Sequence, residues 1–273
     1  MSKEDNSRLC LEICTDNEED WKEFLGICAI AFQSSTPFKR SHPDPGKRKL
    51  HLSEYFKYVY ETELSKGRAG LVCVKKISDN QQKPKILYGF CMLYKESPRS
   101  RGDKTCMENI DKKGMEICLG EDEWLEKNIH SKMRDLSKIL NFTAAYGYLQ
   151  ASVKEHMNNG VGSKYILASA EMLVQDGIIR GVIPAHLPIV VYGVLDDVRV
   201  KRFHKQAGSI EIAHLHFGED DKHKCRKIKC IDNNMGDNRN EIFDCVIVVG
   251  KVLGPHKFSL PQLQTVFNLK SML

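Results

Sequence analysis

The sequence predicts a mixed α/β fold, one sheet with helices on its faces. Three observations carry this. The chain has 273 residues, 41% of them hydrophobic, enough to bury one substantial core. Strand-like and helical patterns follow one another in the order β, α, α, β, β, inserted helix, β, α, β, α, β, β. One strand, at 146–153, also turns through a short glycine-containing loop into a helix, the unit in which a helix N-terminus can receive a phosphate.

Leu9 to Thr15 alternates as a strand, and Asp16 or Asn17 offers an N-cap for an amphipathic run from Glu18 to Phe32. A proline- and charge-rich loop, Thr36 to Lys49, precedes a second helix over Leu52 to Leu64, which Gly67 closes. Gly70 to Ile77 and Ile86 to Tyr94 read as a hairpin. The segment 96–141 is polar and reads as an insertion, with Trp124, Leu125, Ile129, Met133, Leu136 and Leu140 on one side of a helix over Glu121 to Leu140. After the strand Tyr146 to Val153 comes a helix from Ser163 to Gln175 that stops at Gly177. A buried strand follows (Ile189 to Leu195), then a helix ended by Gly208 (Val198 to Ala207), then strands over Ile210 to Phe217 and Ile242 to Val252. The tail after Gly254 carries no readable signal, so residues 1–253 are taken as one domain and 254–273 as an extension.

Composition narrows the function classes. Lysine and arginine total 41 against 36 acidic residues, interspersed except in short runs such as Lys222 to Lys229. That leans weakly towards anionic ligands; without interleaved aromatics, nucleic acid is not the expected partner. Met1 to Asn6 has no apolar run for a secretory signal or membrane span, so a cytoplasmic chain with no membrane partner is expected. Ten cysteines, among them Cys28, Cys73, Cys91 and Cys245 inside apolar segments, read as small buried hydrophobes in a reducing compartment.

Two stretches carry chemistry. In the first, Tyr148 to Leu167, Gly160 and Gly162 remove side chains where backbone must approach an anion, and the amides from Asn159 to Lys164 point at it from the helix start. Alone, such a turn also serves any tight strand-to-helix passage. The second stretch runs from Val194 to Gly208. Together the two resemble the GNAT superfamily of N-acetyltransferases: a glycine turn between a strand and a helix, and, after the next strand, a helix in which Asp197 stands for the family's Asn and Val200 for its Ala, while Phe203 and Gly208 match.

The resemblance implies a GNAT-like mixed, mostly antiparallel sheet with helices on both faces, and transfer of an acetyl or short acyl group from acyl-CoA to an amine by direct attack. It implies that Ala151, Ser152 and Val153 pair with the pantetheine arm. Asn159, Gly160, Val161, Gly162, Ser163 and Lys164 hold the pyrophosphate, Asp197 and His204 contribute to the cofactor site, and no metal takes part. His204 replaces the tyrosine that usually protonates the CoA thiolate; a histidine can donate a proton near neutral pH, which makes it the catalytic candidate. Met157 stands where the family has an Arg or Gln, so Lys154 or Lys164 is the substitute cation. Gly147 occupies the position of the glutamate base of histone-acetylating members, leaving Glu155 and His156 as nearby alternatives. Thr36-Pro37-Phe38 resembles the acceptor side of arylalkylamine acyltransferases, with Thr36 in place of their acidic residue, and points to a small amine. These departures also support a rival expectation, a degenerate CoA-binding or interaction module. His214, His216, His223, Cys225 and Cys230 match no strong zinc spacing and read as strand histidines and a basic loop.

Overall fold

The computed structural model describes residues 8–78, 83–94, 123–156, 160–195, 204–216 and 245–270. Seven strands form one sheet: β1 (Arg8–Ile13), β2 (Ala69–Ile77), β3 (Lys85–Leu93), β4 (Thr143–Ser152), β5 (Ile189–Leu195), β6 (Ile210–His216) and β7 (Cys245–Leu253). Their order is β1-β2-β3-β4-β5-β7-β6. β4 and β5 run parallel and every other neighbouring pair is antiparallel, the mixed, mostly antiparallel sheet expected.

Helices cover both faces. On one lie α1 (Glu18–Ala31), α2 (Thr36–Ser41) and α3 (Pro45–Val59), with α4 (Ser131–Leu140) and α6 (Leu260–Lys270) further along. Trp21, Phe24 and Cys28 of α1 and Leu52, Phe56 and Val59 of α3 pack on Leu71, Cys73, Cys91 and Leu149. Met133 and Leu136 of α4 and Leu263 and Phe267 of α6 pack on Tyr146, Tyr192 and Val248. On the opposite face α5 (Val161–Ile179) buries Ala170, Leu173 and Val174 against Val72, Val74, Phe90, Ile189 and Leu253. Odd and even positions of each strand therefore feed separate cores.

Local chemistry explains the boundaries. Asn17 caps α1 by accepting from the amides of Glu19 and Asp20. The expected loop over Thr36 to Lys49 instead holds two helix starts: Asp44 accepts from the Lys47 amide and Pro45 takes the first helical position, where a missing N–H costs nothing. α3 continues through a π-helical segment, Tyr60–Arg68. Gly177 does not end α5; it lies inside the helix because a Cβ there would meet Ile183 Cδ1 at 2.6 Å. The stop comes at Gly181 (φ +69°), where Val182 N–H bonds to Gly177 O and Gly181 N–H to Ile178 O. The inserted helix packs as expected, with Trp124, Ile129, Met133 and Leu136 buried. The tail forms α6, a helix that the sequence reading did not contain; Leu263 and Phe267 are fully buried.

Polar groups tie the sheet to its helices. Lys75 pairs with Asp20 at 2.7 Å and Glu12 at 2.9 Å. Asp176 of α5 accepts from Tyr94 Oη at 2.5 Å and from Arg180 Nε at 2.8 Å, and Arg180 continues to Asp16 at 2.6 Å. Among the described residues no helix is long and apolar enough to cross a membrane.

Candidate functional site

The site follows from where two parallel strands stop pairing. β4 and β5 are in register from Thr143↔Ile189 to Gly147↔Gly193. Beyond that point β4 stays with β3, out to Ser152↔Tyr88, while β5 stays with β7, out to Leu195↔Ile247. The strands part as a V. A β-bulge helps: Cys91 faces Leu149 and Met92 faces Gly147, so Tyr148 is the extra residue and β4 bends there. Gly147 sits tightly at the apex: a Cβ would lie 3.3 Å from the Phe90 ring and 3.6 Å from Tyr192 O.

A cavity of about 920 Å³ fills the V. On the α1 face its wall is Ala31, Phe32, Ser34 and Tyr148; on the α5 face it is Gly160, Gly162, Ser163, Ile166, His204 and Lys251. The opening thus joins the two sides of the sheet. None of the described residues that line it is acidic. Behind the apex, Tyr192 shares a 2.9 Å hydrogen bond with His130 Nδ1 and stacks on Tyr146.

At one mouth stands the start of α5. Gly160 is the N-cap, left-handed at φ 74°, and no side chain caps the helix. Lys164 N–H bonds to Gly160 O at 2.9 Å, so the amides of Val161, Gly162 and Ser163 have no intrahelical acceptor and form a ready anion cradle. The Ser163 hydroxyl donates to Gly160 O at 2.9 Å. Lys164 Nζ lies over the Tyr165 ring, 5.2 Å from its centroid, and Lys164 does not line the cavity. Val161 packs into the core beneath α5.

On β4, Ala151 and Ser152 line the cavity. Val153 does not, and its N–H is donated to Leu87 O of β3 at 2.9 Å. Because a strand's hydrogen-bonding groups alternate sides, Gln150 and Ser152 present theirs to the open edge. Lys154 and Glu155 are exposed in the turn after β4, whereas His156 lines the cavity. Asn159, Asp197 and Met157 lie outside the described residues, as do His223, Cys225, Cys230 and the Lys222 to Lys229 run. His214 lies on β6, 3.9 Å from Glu211.

His204 lines the cavity in the last turn of a helix that Gly208 (φ +78°) ends, with Ser209 N–H bonding to His204 O. Burial pushes its imidazole down to about 4, so it is neutral at pH 7. A resting imidazolium is therefore not available to donate a proton.

Sequence reasoning missed Lys251, Tyr148 and the wall at Phe32 and Ser34. Lys251 did leave a trace: it is the single charge in the β7 run Cys245 to Leu253. The bulge at Tyr148 left none, since it depends on pairing with β3.

No protein-family model matches this chain, and no curated protein matches it in sequence. Solved structures do. Putative arylalkylamine N-acetyltransferase 7 from the yellow fever mosquito aligns over 90% of this chain and 87% of its own at 10% identity, TM-score 0.52. Arylalkylamine N-acetyltransferase 2 from Aedes aegypti aligns over 90% and 99% at 13% identity, TM-score 0.51. The C-terminal condensation domain of Ebony, solved with beta-alanyl-dopamine, aligns over 90% and 99% at 10% identity, TM-score 0.50. At these identities the likeness speaks to the fold.

Proposed function

We propose, from the premise that this chain has the GNAT fold, that it is an acyl-CoA-dependent N-acyltransferase acting on a small amine. The observation that carries this reading is the cavity through the parted β4 and β5, with uncapped α5 amides at one mouth and an aromatic wall on the far side of the sheet. Residues 1–253 are taken as the catalytic domain and 254–273 as an extension whose helix adds to the same core.

The residues fit such a donor. The amides of Val161, Gly162 and Ser163 would hold a pyrophosphate, with Asn159 and Lys164 at its edge. The open groups of Gln150 and Ser152, with Ala151 between them, would pair with the pantetheine amides. Asp197 and His204 would contribute to the same cofactor site. Acetyl-CoA supplies an activated thioester carbonyl. The apex at Gly147 and Gly193 would admit that carbonyl to the α1 face, where Phe32, Ser34 and Tyr148 would orient the amine. As the C–N bond forms and the C–S bond breaks, neutral His204 would take the amine's proton and return it to the thiolate. A low imidazole pKa makes the second transfer easy and the first slow. Burial of Cys14, Cys28, Cys73 and Cys91 as free thiols fits a reducing compartment, and the cytoplasm is the proposed location.

The neutral state of His204 favours a second reading, a module that binds acyl-CoA without turnover. Calorimetry with acetyl-CoA followed by an amine screen separates the two. Binding with transfer supports the enzyme, binding without transfer supports the module, and no binding refutes both.

A further inference from the structure

The donor side of the cavity does not end at the apex of the V. It continues along the first turns of α5, past Ile166 and Leu167 to Ala170, over a floor of Val191 and Leu253. Seven residues of helix separate Ser163 from Ala170, so this inner end lies about 10 Å from the anion cradle. All five named groups are apolar. Lys251 breaks the pattern.

Lys251 of β7 pairs with Val191, two residues short of the parting point, and lines this inner end. Its ammonium donates to Ala207 O, a carbonyl in the turn that follows His204. It sits so close to Gly208 that a Cβ there would lie 2.8 Å from Nζ. Glycine at 208 permits the left-handed turn (φ +78°), and the end of the lysine chain rests against it. Among the described residues Lys251 makes no ion pair and no acidic residue lines the cavity, so one ammonium borders this apolar stretch with a carbonyl as its described partner.

We infer that this inner end is an acyl pocket selecting donors whose acyl chain ends in a carboxylate, with Lys251 as the group that receives it. The inference rests on the acyltransferase reading of the cavity. With phosphates at the α5 amides, pantetheine along β4 and the thioester near His204, an acyl chain running on along the α5 face meets Val191, Leu253 and then Lys251. The acceptor amine enters from the other face, and the phosphates lie at the opposite end, so neither is placed to reach this ammonium. Transfer remains balanced: the amine nitrogen bonds to the acyl carbon, the C–S bond breaks, the amine's proton passes to the thiolate, and the terminal carboxylate is unchanged.

The test is calorimetric titration of the full chain with CoA, butyryl-CoA and succinyl-CoA, the last two having four-carbon acyl groups. The wild type is expected to prefer succinyl-CoA over butyryl-CoA by at least about tenfold, the size of one charge-assisted hydrogen bond. Lys251→Met should bring that ratio to near one, and Lys251→Arg should retain most of it. Equal wild-type affinities overturn the inference even if no variant folds. So does a Lys251→Met loss that falls equally on CoA, which would assign the ammonium to the phosphates, and so does an unchanged ratio. Binding of CoA and butyryl-CoA without the preference defeats this proposal alone, whereas a wild type that binds none of the three defeats the acyl-CoA reading and the pocket with it.

Discussion

His204 offers the sharpest check on the site, because its environment makes a quantitative claim. The imidazole's ordinary value of 6.5 falls to about 4 through burial. Between those limits the unfolded chain binds more protons at this position than the folded one, so stability rises with pH across the window. The contribution is complete above pH 6.5 and is lost as pH falls towards 4. At pH 5 the loss relative to pH 7.5 is about 2 kcal/mol, approaching about 3 kcal/mol below pH 4. Urea unfolding of the wild type and His204→Gln at pH 5.0 and 7.5 isolates this term, since every other titrating group is common to both. The wild type should lose about 2 kcal/mol more than the variant, at an unchanged denaturant slope. Parallel losses would refute the burial of a neutral imidazole. On the proposed acyltransferase reading the same shift places the acid limb of turnover nearer pH 4 than 6.5, and a limb at 6.5 would contradict the proton route through His204.

Other perturbations test neighbouring parts. Gly160→Glu should abolish acetyl-CoA binding by calorimetry, because it sets a carboxylate at the anion cradle; wild-type affinity would sink the assigned site. Gly160→Ala should cost about 1 to 2 kcal/mol in unfolding experiments from the left-handed backbone alone, since the nearest group to its Cβ, Ser163 Oγ, is 3.6 Å away. Asp176→Ala leaves Tyr94 and Arg180 without their shared carboxylate and should cost about 3 kcal/mol in urea unfolding; a loss under about 1 kcal/mol would show that water replaces it. Gly89→Ala drives a Cβ to 2.3 Å from Phe24 of α1 and should cost about 1 to 3 kcal/mol by thermal unfolding.

Much of this architecture could be read from residues because local and global preferences agree. The β4–turn–α5 unit, the β2–β3 hairpin and the inserted helix with its Trp124, Ile129, Met133 and Leu136 stripe all follow from periodicity and glycine placement. The misses share a cause. Gly177 reads as a stop because glycine usually is one, yet the reason for it here is the contact with Ile183, which is remote packing rather than local conformation. Helix α6 carries little amphipathic signal, and what fixes it is the tertiary burial of Leu263 and Phe267. At the site, the helix start at Gly160 was legible because it is local, whereas what Val153, expected on the strand edge, and Lys164, expected at the helix start, touch was not. Val153 gives its N–H to Leu87, and Lys164 lies over Tyr165; neither fact exists until the neighbours are in place.

The parted strands also bear on the order of chemistry. A slot through a sheet has two faces, and here the anion cradle and the ammonium of Lys251 belong to the α5 face while Phe32, Ser34 and Tyr148 belong to the α1 face. Two ligands held on opposite faces can touch only at the slot, between Gly147 and Gly193, where the backbone carries no Cβ. Such a geometry needs no covalent intermediate on the protein, because the reacting atoms are already neighbours. The sequence offers no nucleophile at either apex position. On the proposed acyltransferase reading a ternary complex with direct attack follows, and initial-rate kinetics giving intersecting rather than parallel lines would agree with it. Parallel lines, the mark of a covalent acyl-enzyme, would mean that another side chain reaches the slot and that the two faces work in sequence.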